Sequence, residues 1–199
     1  MKPEIITLKY SSTYTFLVRG QSGSLLVDTG YAGTLQAFYR ALGANSLTLK
    51  QISYVMATHY HPDHCGLIGR LQAQGVQLLL ADSQVSAVHF PDHIFAREKL
   101  DYLPPDPAKA VLVSAGGENG LQSRPFLKTL GIEGEIIRTP SHSEDSVSLV
   151  LDDGCCFVGD LEPREYIGAY ADNPRLAEDW SRIMRRNPKI IFFAHAPAR

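Results

Sequence analysis

The stretch THYHPDHCG, residues 58–66, places His59, His61, Asp63 and His64 within six positions of a 199-residue chain that has only seven histidines. Imidazole nitrogens together with a carboxylate suit zinc, iron or manganese. The apolar run ISYVMA stops at Ala57, and polar residues crowd in behind it. In α/β proteins the exits of strands are where ligand sites gather. If the backbone is extended across His59 and His61, with Pro62 stiffening the turn, both rings face one point. Asp63 and His64 then turn toward a neighbouring point. Asp63 as a helix N-cap is the plainer alternative, but it leaves three clustered histidines without a reason.

Three further residues follow apolar runs in the same way. His142 comes after IIRTPS, Asp160 after CCFVG and His195 after IIFFA. Singly, each reads as a turn residue or a hydrogen-bonded histidine. Jointly with the hexad they supply five histidines and two aspartates. That is enough donors for two metal ions with positions left for water or substrate.

Such a set needs strands to carry it. EIITLKY, TYTFLVRG and SLLVDTG alternate as strands do, with a hairpin-like QSG between the second and third. In AGTLQAFYRALG, Leu35, Phe38, Tyr39 and Leu42 fall at helical spacing. ISYVMATH is a short strand, residues 66–74 read as a helix, and QLLLAD is a buried strand. SVSLVLDDGCCFVGD reads as strand, DDG turn and strand. PRLAEDWSRIMRRN is helical with Leu176, Trp180, Ile183 and Met184 on one face, and KIIFFAHA is a strand ending in a histidine, as ISYVMATH is. RIMRR is the basic last turn of that helix rather than a nucleic-acid patch. The two halves share this outline, and no low-complexity linker divides them, so one domain over residues 1–199 is expected. Residues 83–110, with four prolines and several aromatics, read as short helices and a loop, a candidate flap.

Composition narrows the function classes. A formal charge of −2, from 19 basic and 21 acidic residues, offers no field to draw nucleic acid or a membrane surface. No apolar run reaches membrane-spanning length. The opening MKPEIITLKYSSTYTF lacks the layout of a signal peptide, so a cytoplasmic location is expected. Cys65, Cys155 and Cys156 are an odd count with two adjacent, which fits reduced thiols. The expected partner is a small-molecule substrate, with neither nucleic acid nor membrane. Oligomeric state stays open, a homodimer included.

The ordered motifs resemble the metallo-β-lactamase superfamily over nearly the whole chain: Asp28 in LLVDTG, the hexad HYHPDH, His142 in TPSHSEDS, Asp160 in FVGD and His195 in FFAHAP. The resemblance implies an α/β fold, a four-layer αβ/βα sandwich with two similar halves and the metals at one edge of its sheets. It implies His59, His61 and His142 on one metal, Asp63, His64 and His195 on a second, and Asp160 bridging. Asp28 would stand behind them and orient the hexad loop. Two divalent ions are implied, zinc first, with manganese or iron as alternatives. Ser141 departs from the glycine that many members carry before the third motif's histidine. The chain stops four residues after His195, so a minimal catalytic core is expected, without the appended domains of larger members.

The implied activity is a dinuclear metal-dependent hydrolase. A metal-bridging hydroxide would attack a small ester, lactone or thioester, and Asp63 would orient it and shuttle a proton. A phosphodiesterase or phosphotriesterase on the same site is one alternative. An iron-dependent oxidoreductase resembling persulfide dioxygenases is another. A dedicated β-lactamase is disfavoured, because those enzymes lack an aspartate bridge at the Asp160 position. For the substrate pocket the candidates are His89, Phe90 and Tyr102 from the flap segment, beside Phe95, and Arg164 and Tyr166 after Asp160, beside Tyr170. His89 and His93, four apart across Pro91 and Asp92, read as surface or pocket residues and not as a third metal site.

Overall fold

A computed structural model describes residues 2–115 and 121–199. Two sheets face each other, and each carries helices on its outer side. In the larger sheet, β1 (Glu4–Lys9), β2 (Tyr14–Arg19) and β3 (Ser24–Val27) form an antiparallel meander. β4 (Tyr54–Met56), β5 (Gln77–Ala81), β6 (Val111–Ser114) and β7 (Leu121–Gln122) continue it in parallel, in chain order. In the smaller sheet, β8 (Gly134–Arg138), β9 (Val147–Leu151) and β10 (Cys155–Gly159) are antiparallel neighbours, and β11 (Ile190–Phe193) adds parallel to β10.

The side-chain period of two assigns each strand residue to a layer. Phe16, Val18, Leu25, Val27, Met56, Leu79 and Ala81 point between the sheets and meet Val147, Leu149, Leu151 and Phe157 from the other side. Leu127 of α5 (Ser123–Thr129) joins the same cluster. Leu17, Leu26, Val55, Leu78 and Leu80 point outward and are covered by Phe38 and Leu42 of α1 (Leu35–Ala44) and by Ile68 and Leu71 of α3 (Ile68–Gln72). On the far side, Val150, Cys156 and Val158 are covered by Leu176, Trp180 and Ile183 of α6 (Pro174–Met184). At about 1.5–3 kcal/mol for each fully buried large apolar side chain, this stripe is what holds α6 to the sheet. Four layers result, helix, sheet, sheet, helix, as the motifs imply. The hairpin, helix and parallel strand of β2–β3–α1–β4 recur as β9–β10–α6–β11.

The elements differ from expectation in two places. The helix expected over 66–74 is shorter and follows a separate turn, α2 (Pro62–Cys65). A Cβ on Gly66 would lie 2.2 Å from the Ala32 nitrogen, so the chain is pinned against the loop after β3 at this point and the helix starts beyond it. Met184, expected on the buried face of α6, is exposed; it sits in the last turn, past the sheet that covers Ile183. Residues 83–110 are short helices joined by turns, as expected. Their short helix α4 (Asp92–Glu98) is anchored by fully buried Phe95, and Val88 and Gln84 are buried ahead of it. Among the described residues no helix is long and apolar enough to cross a membrane. The three cysteines are buried free thiols.

Candidate metal centre

All the strand exits that carry candidate ligands open on one edge of the sandwich. β4 stops at Met56 because the next free N–H, that of Thr58, donates to the Asp28 carboxylate (2.7 Å) instead of a neighbouring strand. The backbone bends at Thr58 and His59 and is extended at His61, the N-cap of α2 (φ −70°, ψ 151°), where Pro62 sets the first helical turn. His59 and His61 share one side, with their ring centroids 4.5 Å apart. Asp63 and His64, inside the turn, swing to the other.

Three groups of donors come together with all their ligand atoms within 4.8 Å: His59, His61 and His142; His59, His64 and Asp160; Asp63, His64 and His195. Asp160 lies between the outer two groups, and its two oxygens divide between them. Oδ1 is 3.3 Å from His64 Nε2 and 3.3 Å from His195 Nε2. Oδ2 is 3.7 Å from His142 Nε2 and 3.9 Å from His59 Nε2. On one flank His142 Nε2 and His61 Nδ1 are 3.1 Å apart, and on the other His195 Nε2 is 3.1 Å from Asp63 Oδ2.

The residues present fit divalent metal ions. His59 Nε2, His64 Nε2 and Asp160 Oδ1 are buried and have no hydrogen-bond partner. Unpaired buried polar atoms cost about 1–3 kcal/mol each, and cations between the donors would satisfy all three. The electrostatics agree. Burial, reinforced by the surrounding imidazoles, holds His59 well below the usual histidine range, so it is a neutral ligand. Burial lowers His142 too, against the pull of Asp160. For His64 burial also opposes charge, but the Asp28 and Asp160 carboxylates outweigh it and lift the imidazole to about 10. Burial works against ionised Asp160, and His64 more than compensates, holding it below the usual carboxylate range.

Several of the candidate ligands are held from behind. Asp28, buried and in the left-handed region (φ 61°), accepts from Thr58 N–H, from the Thr58 hydroxyl (3.0 Å) and from His64 Nδ1–H (3.1 Å), which turns Nε2 toward the cluster. His195 Nδ1–H donates to the Ser12 carbonyl (3.1 Å), and the Thr13 hydroxyl donates to the Asp63 carbonyl (2.8 Å). Gly159 has φ +60°, and a Cβ there would meet Thr58 Oγ1 at 2.4 Å, so only glycine lets the chain turn into Asp160 at this point. The loop bearing His142 is tied twice. Buried Asp179 of α6 accepts the Ser141 N–H (2.8 Å), and Asp145 accepts the Tyr60 N–H (2.7 Å) and the Ser143 hydroxyl (2.7 Å).

Sequence reading did not single out Ser12, Thr13, Thr58, Asp145 or Asp179. Only Asp145 had a local signal, its place in SHSEDS three residues after His142. The structure gathers Asp28, His59, His61, Asp63, His64, His142, Asp160 and His195 at one place. The pocket candidates divide. His89 and Phe90 line a cleft of about 490 Å³ with Tyr60, His61 and Asp145, next to the cluster. Tyr102 does not line it: its ring packs on Phe95 (4.4 Å between centroids) and its hydroxyl donates to Asp92. Arg164 lines a separate cleft with Trp180 and Met184, and Tyr166 is exposed on the turn after it. Both are carried away by the turns that follow Asp160. A second opening, about 250 Å³, is bounded by His142, Asp160, Phe193 and His195.

The sequence pattern described as the metallo-beta-lactamase superfamily matches residues 9–195. A "Beta-lactamase-like protein 2 homolog" from Drosophila melanogaster is 26% identical over 194 residues, covering 97% of this chain and 61% of that protein. The chain thus spans about three-fifths of that relative's length. Two solved structures share the fold. One is a metallo-beta-lactamase family protein from Thermus thermophilus (TM-score 0.67, 18% identity, 98% of this chain and 74% of that one). The other is TTHA1623 in a di-iron-bound form (TM-score 0.68, 21% identity, 98% of this chain and 93% of that one).

Proposed function

The chain belongs to the metallo-β-lactamase superfamily, and from that premise we propose that it is a metal-dependent hydrolase with a two-metal centre, acting on a small ester, lactone or thioester. The observation that carries the reading is the division of Asp160's oxygens between two donor groups, with buried ring nitrogens and a carboxylate oxygen left unpaired beside them. His59, His61 and His142 would hold one ion, Asp63, His64 and His195 the other, and Asp160 both.

A divalent pair supplies a water-derived nucleophile at neutral pH and positive charge for the oxyanion that develops on the substrate. The protein supplies placement. Asp63, partly exposed and steadied by Thr13, has a carboxylate oxygen at the open side of the cluster, where it orients the attacking water and takes its proton. Phe90, half-exposed and 5.8 Å from the His61 ring, gives the adjoining cleft an apolar wall. That wall suits a short acyl chain better than a polyanion. A second reading, iron-dependent redox chemistry, draws on the donor set itself, since imidazoles with carboxylates suit iron as well as zinc.

The test is a panel of initial rates with protein loaded in turn with zinc, manganese and iron. The substrates are a lactone, a thioester, an aryl phosphodiester, a phosphotriester and a β-lactam, with Asp160→Ala as the control. Turnover of the lactone or thioester that vanishes in the control supports the proposal. Preference for a phosphoester refutes the substrate class, and silence with metal bound refutes hydrolysis of these bonds.

A further inference from the structure

The cleft beside His61 contains a second, metal-independent polar array. His89 is on its wall and 54% of its side chain is exposed. Its Nδ1 lies 3.0 Å from Asp92 Oδ2. The other Asp92 oxygen accepts the Tyr102 hydroxyl at 2.8 Å. Burial and the bond to Asp92 push the Tyr102 hydroxyl far up, so it remains a neutral donor. Behind it the ring packs on fully buried Phe95, and Phe95 on Tyr31 (5.1 Å). A surface histidine paired with an aspartate three residues on needs none of this support. Here the line runs from the core through Tyr102 and Asp92 to an imidazole at the substrate cleft. Because Asp92 is an acceptor, the Nδ1 of His89 is the donor, and Nε2 is the atom left to exchange protons.

We propose that His89 is a catalytic residue, the general acid that protonates the leaving group as the acyl bond breaks. The inference rests on the hydrolase reading above. The imidazolium Nε2–H passes its proton to the departing alkoxide or thiolate oxygen or sulfur, the acyl–heteroatom bond breaks with its electron pair going to that atom, Asp63 releases to solvent the proton it took from the attacking water, and neutral His89 regains a proton from solvent. Asp92 and Tyr102 are positioning residues. The other titratable groups around the cleft are Tyr60, His61 and Asp145 on its walls and His93 next to Phe90, with Asp106 in electrostatic reach of His89.

The test compares two esters of one acid, ethyl butyrate and p-nitrophenyl butyrate, with metal-loaded wild type, His89→Ala, His89→Gln and Asp92→Asn. Metal content is measured on each sample. General acid catalysis is worth about 10²–10⁴-fold and matters only where the leaving group is poor. His89→Ala should therefore lose about 10²-fold or more in kcat on the ethyl ester and less than about threefold on the p-nitrophenyl ester, with metal content unchanged. Asp92→Asn should show the same selectivity with a smaller loss. Equal losses on both esters, or none on either, overturn the role. A wild type that is metal-loaded yet silent on both esters overturns this proposal for simple esters, and silence on the lactone and thioester of the earlier panel as well overturns the hydrolase reading itself. A His89 variant that has lost metal also overturns it, because the histidine would then be acting through the centre.

Discussion

Asp28→Asn isolates the electrostatic support of the proposed second metal position from its candidate ligands. Asparagine tolerates the left-handed backbone that Asp28 adopts at φ 61°, so the turn is preserved. The new amide keeps one carbonyl oxygen, which stays with the short bond from Thr58 N–H at 2.7 Å. Its NH₂ then faces His64 Nδ1, 3.1 Å away, where an acceptor stood. His64 must turn its Nδ1 lone pair toward that amide and carry its proton on Nε2, the atom aimed at the cluster. Altered support of this kind costs about 10- to 100-fold in metal affinity, which is about 1.4–2.7 kcal/mol. On the two-metal proposal the loss should fall on the ion that Asp63, His64 and His195 would hold. The ion that His59, His61 and His142 would hold keeps its candidate ligands and should change by less than about threefold, His59 touching Asp28 only through Thr58. The assay is competitive zinc titration with a chromophoric chelator, with circular dichroism to verify the fold. Equal weakening of both ions, or of neither, refutes the argument.

Three other perturbations bear on the same framework. Stripping metal with a chelator should lower Tm by about 5–11 °C for each ion removed, since an ion at 100 times its Kd contributes about 2.7 kcal/mol, and about 1 kcal/mol moves Tm by 2–4 °C in a domain of this size; differential scanning fluorimetry with and without chelator reads it, and an unchanged Tm contradicts metal binding at the buried donors. In metal-free protein His64 stands at about 10, above its ordinary 6.5, so its charge stabilises the fold fully below pH 6.5 and this contribution is lost as pH rises toward 10. Denaturation of the chelated protein across that window should show the decline, and binding of metal at pH 7.5 should release the His64 proton, seen as a dependence of calorimetric heat on buffer ionisation enthalpy. Asp179→Ala leaves Ser141 N–H and Arg182 without their acceptor at a fully buried position. It should cost about 2–4 kcal/mol in urea unfolding and weaken the metal at His142, whereas an intact metal affinity would show that the His142 loop holds itself.

The candidate ligands are legible because each stands where an apolar run ends, and that signal is local. HYHPDH, TPSH, FVGD and FFAH can all be read from a few residues each. What aims the ligands is not, because it crosses the chain. The Tyr60–Asp145 bond spans 85 positions, Asp179 reaches 38 positions back to Ser141, and Ser12 holds His195 from 183 positions away. No periodicity encodes such pairs. The same reason explains Tyr102 and Arg164. Chemistry and proximity in sequence suggest both as pocket residues, but the turns that follow carry Arg164 to another cleft and leave Tyr102 behind Asp92. The short β6 and β7 escaped because two to four residues carry too little alternation to stand out from a turn.

The most direct measurement of the central claim is the number of metal ions per chain, by elemental analysis of protein saturated with zinc and freed of excess. Wild type should hold two. His195→Ala should hold one firmly, and Asp160→Ala should lose affinity at both positions, because its two oxygens face both donor groups. A single ion in the wild type, or two ions retained undiminished in Asp160→Ala, would contradict a shared carboxylate and with it the two-metal centre.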